Sequence, residues 1–265
     1  MRQWKKILIT YEQAVEELKV KFKAIRSELR QMNEYSPIEF ITGRVKRVSS
    51  IIEKAKKYEI AEDEIEEKIE DIAGIRIMCQ FVDDIYKVLE LIRERDGKDL
   101  KIQYEKDYIK NQKESGYRSY HVIIKYPIQT AFGQKEIFAE IQIRTLAMNF
   151  WATIEHSINY KYKKNIPKKI KERLKKSAEA AHQLDEEMWQ IRDEVINAQK
   201  LFEVKSDTVS SVVNNIQILR AIGKNIEADQ FQKEFDDTWD IGNVMELKKL
   251  GDRIKYIVDK YQAFE

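Results

Sequence analysis

The segment Lys135-Glu-Ile-Phe-Ala-Glu-Ile-Gln-Ile-Arg144 alternates strictly between two kinds of side chain. Ile137, Ala139, Ile141 and Ile143 share one face, whereas Glu140 and every second residue around it share the other. Because successive side chains of a strand point to opposite faces of a sheet, this pattern predicts a strand with one buried face. The opposite face, which carries Glu, Gln and Arg, is expected to be either exposed to solvent or a polar site.

Three further segments are predicted to be strands, and most of the remaining chain is predicted to be helical. The strands cover 72–81, 100–109 and 119–126, and amphipathic spacing predicts helices over 11–32 and 48–57. Ser36 and Glu39 form a capping-box pattern around a proline, which predicts the start of another helix. Asp83 is expected to cap a helix that ends near Arg95. These segments indicate an α+β protein.

Composition excludes several common chemistries. The 265 residues include 48 Lys+Arg and 46 Asp+Glu, eight glycines, three histidines and one cysteine. No two glycines lie closer than nine residues, which excludes a P-loop and the dinucleotide fingerprint. The histidines lack metal-ligand spacing and none precedes an aspartate, and lone Cys79 excludes a disulfide scaffold. No segment approaches the length of a membrane helix, so we expect a cytoplasmic protein.

The C-terminal part of the chain is predicted to be helical from about Leu146 onward. Apolar residues recur every three or four positions from Ile170 to Phe202, a seam that usually needs a partner helix or a second subunit. Short helices over 209–222, 225–239 and 243–261 are expected to follow. We therefore predict a domain over 1–202 and a helical extension over 203–265.

Two groups near the predicted sheet are candidates for binding phosphate or metal. Arg44, Lys46, Ser50 and Lys54 lie in one cationic stretch, and Arg and Lys side chains bind phosphate where no P-loop exists. The alternative is a solvated helix face. Asp71 stands just before a buried strand, where it can either hold Mg²⁺ or cap a turn.

Two further groups are candidates for base stacking and for proton transfer. The segment Lys113–His121 offers a tyrosine, two cations and a histidine beside a glycine, and aromatic rings stack nucleobases. Glu140, flanked by apolar residues, suits metal binding or general-base work, or else it belongs to a surface strand. Taken together, the four groups favour phosphoryl-group transfer between nucleotides.

Four ordered segments resemble the small alarmone synthetases of the RelA/SpoT-homologue family, most closely the RelQ type. The resemblance spans roughly residues 1–202. The matching segments are Phe40-Ile-Thr-Gly-Arg-Val-Lys46, Asp71-Ile-Ala-Gly-Ile-Arg-Ile77, Glu114-Ser-Gly-Tyr-Arg-Ser-Tyr-His121 and Glu140-Ile-Gln-Ile-Arg-Thr-Leu-Ala-Met-Asn-Phe-Trp151. The resemblance implies a nucleotidyltransferase-like synthetase fold, which is a small mixed sheet of about five strands flanked by helices, with long C-terminal helices.

The same resemblance implies an activity and a donor site. A synthetase of this type transfers pyrophosphate from ATP to the 3′-hydroxyl of GDP or GTP, releases AMP and makes ppGpp or pppGpp. Arg44 and Arg76 would enclose the adenine of ATP. Lys46, Ser50 and Lys54 would hold its phosphates.

The resemblance also implies the catalytic and acceptor residues. Asp71 and Glu140 would carry Mg²⁺, and Glu140 would take the proton of the attacking hydroxyl. Tyr117 would stack on the guanine. The rest of the acceptor pocket would be formed by Lys113, His121 and Ala152.

Assembly and regulation are implied in the same way. RelQ-like enzymes form homotetramers through their C-terminal helices and bind the alarmone as an effector between subunits. The chain lacks a histidine-aspartate hydrolase module, so synthesis without hydrolysis is expected, and its tail beyond residue 203 is longer than the type requires. The matching effector positions are Lys19, Lys23, Phe40, Thr42 and Asn149.

Two readings other than a synthetase stay open from the residues. The stretch Lys161–Lys176 is densely basic and could serve a regulator that binds single-stranded RNA, or it could be a solvated helix face. A catalytically silent scaffold is the second alternative, which intact Asp71 and Glu140 disfavour. A nucleotidyltransferase on a similar sheet would release pyrophosphate rather than AMP.

Overall fold

A computed structural model describes residues 2–131, 133–162, 166–241 and 244–262. In these ranges five strands form one mixed sheet of order β1-β2-β5-β4-β3, in which only β2 and β5 are parallel neighbours. This architecture confirms the expected α+β fold. The strands are β1 (Phe40–Val45), β2 (Ala73–Cys79), β3 (Lys101–Asp107), β4 (Tyr120–Thr130) and β5 (Gly133–Thr145).

Helices precede, connect and follow the strands. A short 3-10 turn over Glu62–Glu64 leads into the third helix. Within the described ranges, none of the helices combines the length and apolar character needed to cross a membrane. The helices are α1 (Arg2–Gln31), α2 (Val48–Lys57), α3 (Ile65–Lys68), α4 (Val82–Arg93), α5 (Leu146–Lys161), α6 (Lys168–Ala221), α7 (Asn225–Ile241) and α8 (Val244–Gln262).

The main core joins the apolar face of the sheet to α1 and α4. Ile141 and Ile143 of β5 are fully buried in the same cluster as Leu18 of α1 and Ile85 of α4. The close approach of α1 to β1 requires Gly43, since a Cβ at this position would lie 2.6 Å from Val15 Cγ1. This packing uses one face of the sheet and leaves the polar face free for a site.

The predicted helix start at Ser36 is wrong, because the chain enters β1 at this point instead. The Ser36 hydroxyl does accept a local hydrogen bond, from the Ile38 amide at 3.3 Å, but Glu39 N–H already bonds Met78 O of β2. Pairing with β2 thus overrides the local capping pattern. Asp83 is not the N-cap of α4 either, since that position is Phe81 and Asp83 lies within the first turn of the helix.

The C-terminal helix α6 is longer than the sequence analysis expected. Its 54 residues continue through 203–208, where a break between helices was expected. No glycine or proline interrupts the sequence between 168 and 222, so nothing in the backbone requires a break. Gly223, with φ +78°, follows the end of α6.

The chain divides into two compact units, 1–189 and 190–265. The second unit has a small hydrophobic core of its own, in which Val212 and Leu219 of α6 pack with Phe231 of α7 and Ile254 of α8. The proposed division of the sequence at 202/203 remains a prediction.

Candidate active site

Two rows of paired residues cross the polar face of the sheet. Residues that are directly opposite on neighbouring strands point to the same face, so each row brings distant parts of the chain together. From β1 to β3, one row is Thr42, Arg76, Gln142, His121 and Lys106, and the other is Arg44, Gly74, Glu140, Ile123 and Tyr104.

Asp71 lies between two lysines at the β1–β2 side of this face. Lys46 Nζ is 2.6 Å from Asp71 Oδ2, and Lys54 Nζ is 2.8 Å from Asp71 Oδ1. Burial favours the neutral acid, but the hydrogen bonds from the two lysines outweigh it and lower the pKa of Asp71. Ser50 lies on α2 one turn before Lys54. The structure thus brings Lys46, Lys54 and Asp71 into one ion-paired cluster.

Arg44 and Arg76 extend the positive charge along the same side. Arg76 Nε donates to Gln142 Oε1 at 3.3 Å, whereas Arg44 is exposed on the edge strand β1. Burial, followed by the charges of Arg144 and Arg44, lowers the pKa of Arg76. His156 of α5 is near the same charges, because burial and then Arg44 lower its pKa. Several cations therefore converge here with few acids to neutralise them.

Glu140 lies at the centre of the face and is held by two hydrogen bonds. His121 Nδ1 is 2.8 Å from Glu140 Oε1, and Gln142 Nε2 donates to Glu140 Oε2 at 2.7 Å. The side chain is only 16% exposed. Burial acts to raise the pKa of Glu140. The hydrogen bond and charge of His121, together with the hydrogen bond from Gln142, lower this pKa below the ordinary value. A deprotonated, oriented carboxylate of this kind is suited to accept a proton.

Tyr117 continues this network towards the loop before β4. Its hydroxyl lies 2.7 Å from His121 Nε2 and accepts a hydrogen bond from Arg144 Nη2 at 2.6 Å. The Lys113 ammonium lies 4.9 Å from the centre of the Tyr117 ring. Gly116 makes the loop possible, since its φ is +87° and a Cβ there would lie 2.6 Å from Ala178 Cβ.

Ala152 lies behind Tyr117 in a small apolar cluster. It is buried beside Trp151 and Ala178, and the half-buried Tyr117 ring packs against this cluster. Trp151 Nε1 donates to Leu174 O at 2.9 Å, which ties α5 to α6. A bulky residue at position 152 would therefore compete for space with the Tyr117 ring.

The five residues expected to bind an effector lie on α1, β1 and α5. Phe40 and Thr42 are exposed on the edge strand, and Lys23 is exposed on α1. Lys19 lies against Gly43 and pairs with Glu16 at 2.7 Å. Asn149 of α5 is different, because its buried Oδ1 has no hydrogen-bond partner within the described residues.

Several polar residues at the site were not assigned from the sequence. Gln142 and Arg144 share the alternating face with Glu140, so the same pattern that predicted the strand could have identified them. Tyr108 and His156 follow no such pattern, since their positions depend on a turn and on the packing of α5.

The basic stretch at 161–176 is only partly described. Lys163 and Lys164 lie outside the described residues, whereas the lysines from Lys168 to Lys176 are exposed on α6. Exposure suits either a solvated helix face or an RNA-binding surface.

Comparison with known proteins identifies the class to which this fold and face belong. The model for the region found in RelA/SpoT proteins matches residues 43–165. The chain is 58% identical over 204 residues to the GTP pyrophosphokinase YjbM of Bacillus subtilis, covering 77% of this chain and 95% of that protein. It is 44% identical to YwaC of the same organism, covering 74% and 93%. The chain belongs to the RelA/SpoT family, among the small alarmone synthetases.

Solved structures agree in fold. Small alarmone synthetase 1 of B. subtilis, bound to its product pppGpp, aligns with a TM-score of 0.70 at 58% identity, over 74% of this chain and 99% of that one. A GTP pyrophosphokinase family protein from Streptococcus pneumoniae aligns at 0.71 and 53% identity, over 75% and 97%. These alignments leave about a quarter of this chain without a counterpart.

Proposed function

We propose that this protein is a (p)ppGpp synthetase, which transfers pyrophosphate from ATP to the 3′-hydroxyl of GDP or GTP and releases AMP. The observation that carries the proposal is the position of Glu140 on one sheet face, between a cluster of cations and a tyrosine loop. The similarity to GTP pyrophosphokinases supports it. Neither an RNA-binding regulator nor a silent scaffold is favoured by these similarities.

The donor ATP binds on the β1–β2 side in this proposal. Arg44 and Arg76 hold the adenine between their guanidinium planes, and Lys46, Ser50 and Lys54 hold the phosphates. Both lysines are paired with Asp71. Binding therefore replaces a carboxylate partner with a phosphate partner, which keeps the lysine charges neutralised throughout.

Asp71 and Glu140 are the residues that would hold Mg²⁺. The described residues contain no cluster of three potential metal-ligating side chains. Two carboxylates still fit, because Mg²⁺ commonly uses one or two carboxylates together with substrate phosphates and water. Asp71 precedes β2 by two residues, and Gly74 of that strand pairs directly with Glu140 of β5, so the two carboxylates are on neighbouring segments. Bound Mg²⁺ would supply charge neutralisation at the phosphates.

Glu140 acts as the general base. It takes the proton of the 3′-hydroxyl while that oxygen forms a bond to the β-phosphorus of ATP. The bond from the β-phosphorus to the oxygen shared with the α-phosphate breaks, and AMP leaves with that oxygen. His121 and Gln142 orient Glu140, and the lysines neutralise the phosphate charge that would otherwise repel the incoming hydroxyl.

The acceptor guanine nucleotide binds on the β4 side. The Tyr117 ring stacks on guanine, and Lys113 and His121 complete the pocket with Ala152. The Lys113 ammonium lies over the rings of Tyr108 and Tyr117, at 4.5 and 4.9 Å from their centres. It therefore offers a positive charge close to the stacking surface.

The direct test is an assay of the purified protein with ATP, GDP and Mg²⁺, its products separated by ion-exchange chromatography. The proposal predicts AMP and ppGpp in equal amounts, and pppGpp when GTP replaces GDP. Release of pyrophosphate would indicate a nucleotidyltransferase instead, and absence of turnover would reject the proposed activity.

We also propose a homotetramer that assembles through α6. Leu184, Met188, Ile191, Val195 and Phe202 recur at steps of three or four residues or their sum, and each is 43 to 73% exposed in the single chain. Light scattering should give four times the chain mass. We propose further that (p)ppGpp acts as an effector at Lys19, Lys23, Phe40, Thr42 and Asn149.

Three remaining expectations stand as proposals. The segment 203–265 is an extension of the synthetase domain 1–202, which is supported by the quarter of the chain without counterpart. The cytoplasm, which supplies ATP and GTP, is the proposed location. Single-stranded RNA is a proposed additional partner of the exposed lysines on α6, and a gel-shift titration tests it.

A further inference from the structure

Tyr108 occupies a fixed position at the end of β3, beside the acceptor loop. Asp107 Oδ1 accepts hydrogen bonds from the amides of Ile109 and Lys110, at 2.8 and 2.9 Å. The Tyr108 amide donates to Ser119 O at 3.0 Å. The backbone on both sides of Tyr108 is thus held by hydrogen bonds, so the direction of its ring is set by the turn and by β4.

The Tyr108 ring contacts three residues of the proposed acceptor pocket. It meets His121 edge to face, with centroids 5.1 Å apart and planes at 84°. It meets Tyr117 in the same manner at 6.0 Å and 67°. The Lys113 ammonium lies 4.5 Å from its centre. Each contact is a favourable geometry for an aromatic ring, and together they link Lys113, Tyr117 and His121.

The Tyr108 ring helps to hold the charge of Lys113 in place. Within the described part of the chain Lys113 forms no ion pair with a carboxylate, and its charge is stabilised by the faces of Tyr108 and Tyr117. A lysine held in this way keeps its charge available to an incoming anion. His121, which the Tyr108 ring also contacts, is the hydrogen-bond partner of Glu140.

We propose that Tyr108 is a positioning residue for the acceptor nucleotide. It holds the Lys113 charge, the Tyr117 stacking surface and the His121 ring in one arrangement before the guanine nucleotide binds. This inference rests on the proposed function and goes beyond it, because it names a residue that the assigned pocket does not contain. Preorganisation lowers the cost of binding, so loss of the ring weakens acceptor binding.

The effect is specific to the acceptor because of the sheet order. Tyr108 follows β3, whereas the donor cations Arg44, Lys46 and Lys54 come from β1 and the segment after it, and β1 and β3 are opposite edges of the sheet. Strands β2, β5 and β4 therefore lie between the donor side and Tyr108. A change in donor binding is therefore not expected from loss of the Tyr108 ring.

The test compares Tyr108→Leu with Tyr108→Phe by steady-state kinetics, varying GDP and ATP separately. Leucine removes the ring, and we expect the GDP KM to rise about tenfold or more while the ATP KM changes by less than about twofold. Phenylalanine keeps the ring, so the GDP KM of Tyr108→Phe should lie within about twofold of wild type. The Tyr108 hydroxyl has no hydrogen-bond partner among the described residues, so its loss should have little effect.

Tyr58→Leu is the matched control. Tyr58 is exposed and also has a lysine over its ring, Lys57 at 5.0 Å, but it has no contact with the acceptor loop. Its loss should leave both KM values unchanged. Circular dichroism checks folding of each variant, and Tyr108→Met, which fills the same space without a ring, replaces any leucine variant that does not fold.

The outcomes separate the inference from the function it rests on. No turnover by wild type would overturn the proposed function. Turnover by wild type with an unchanged GDP KM in Tyr108→Leu, an equal rise in both KM values, or failure of phenylalanine to restore the GDP KM would each overturn the role of Tyr108.

Discussion

The two sides of the polar sheet face hold their charges in different ways. On the β1–β2 side, Lys46 and Lys54 pair directly with the carboxylate of Asp71, at 2.6 and 2.8 Å. On the β4 side, the Lys113 charge is stabilised by two aromatic rings, and Tyr117 bonds His121. Glu140 lies between them. A side built from ion pairs suits a polyphosphate, and a side built from rings suits a planar base, which supports the proposed positions of donor and acceptor.

The largest expected effect comes from the residue between the two sides. Glu140→Gln keeps the shape of the side chain but replaces one of its two acceptor oxygens with an amide group and removes the base, so kcat should fall at least about 100-fold. Glu136→Gln is the matched control, since Glu136 lies on the same strand, is 51% exposed and pairs only with Lys125 in the described part of the chain. Turnover near the wild-type level in Glu140→Gln would mean that another group takes the proton.

Removing a lysine from the ion-paired side should raise the KM for ATP but not the KM for GDP. Lys46→Met removes one charged partner of the phosphates, and charge-assisted hydrogen bonds contribute about 1.5–3 kcal/mol, so we expect an increase of about 30-fold. The GDP KM should change by less than about twofold. Lys56→Met, an exposed lysine on α2, serves as control. An equal rise in the GDP KM would show that the two sides are not separate.

Removing a ring from the aromatic side should raise the KM for GDP but not the KM for ATP, and by a smaller factor. Tyr117→Ala removes the stacking surface, and a lost stack costs about 1–3 kcal/mol, so the GDP KM should rise about tenfold. The ATP KM should stay within about twofold of wild type. Steady-state titration of each nucleotide measures both, and an unaltered GDP KM would exclude Tyr117 as the stacking residue.

Asp185, a buried acid without a lysine partner among the described residues, differs from Asp71 in the direction of its pKa shift. Asp185 of α6 accepts a hydrogen bond from the Thr145 hydroxyl at 2.7 Å and is 5% exposed. Burial raises its pKa from 3.8 to about 6. Because the folded state binds this proton more tightly, the stabilisation it contributes is complete below pH 3.8 and is lost as pH rises through about 6.

Asp185→Asn should therefore stabilise the protein where the acid is charged. The amide oxygen can still accept from Thr145, and we expect the free energy of unfolding at pH 8 to rise by about 1–2 kcal/mol. The difference from wild type should shrink at pH 5. Urea denaturation at both pH values measures it, and a variant less stable than wild type at pH 8 would contradict the assignment of an unfavourable charge.

The sequence predicted the centre of the site better than its edges. Alternation in β5 located Glu140 on a polar face, and the same pattern contained Gln142 and Arg144. It missed β1, because this short edge strand contains Gly43 and follows a capping pattern at Ser36 that only pairing with β2 overrides. Tyr108 could not be found, since its position depends on the turn at Asp107 and not on any periodicity.

Sequence patterns also could not give the partners of the charged residues. The position of Asp71 before a strand indicates a metal ligand or a cap, whereas its two lysine partners lie 17 and 25 residues away in the chain. Such pairs are set by how β1 and β2 align. The lack of glycine and proline predicts an unbroken α6, whereas the change in composition near residue 203 wrongly indicates a helix boundary.

The most direct test of a two-sided site follows the phosphates of ATP. With ATP labelled at the γ-phosphate, the label should appear in the guanosine product. With ATP labelled at the α-phosphate, the label should stay in AMP. Label from the α-phosphate in the guanosine product, or γ-label released as free pyrophosphate, would contradict transfer from the cationic side to an acceptor beside Tyr117.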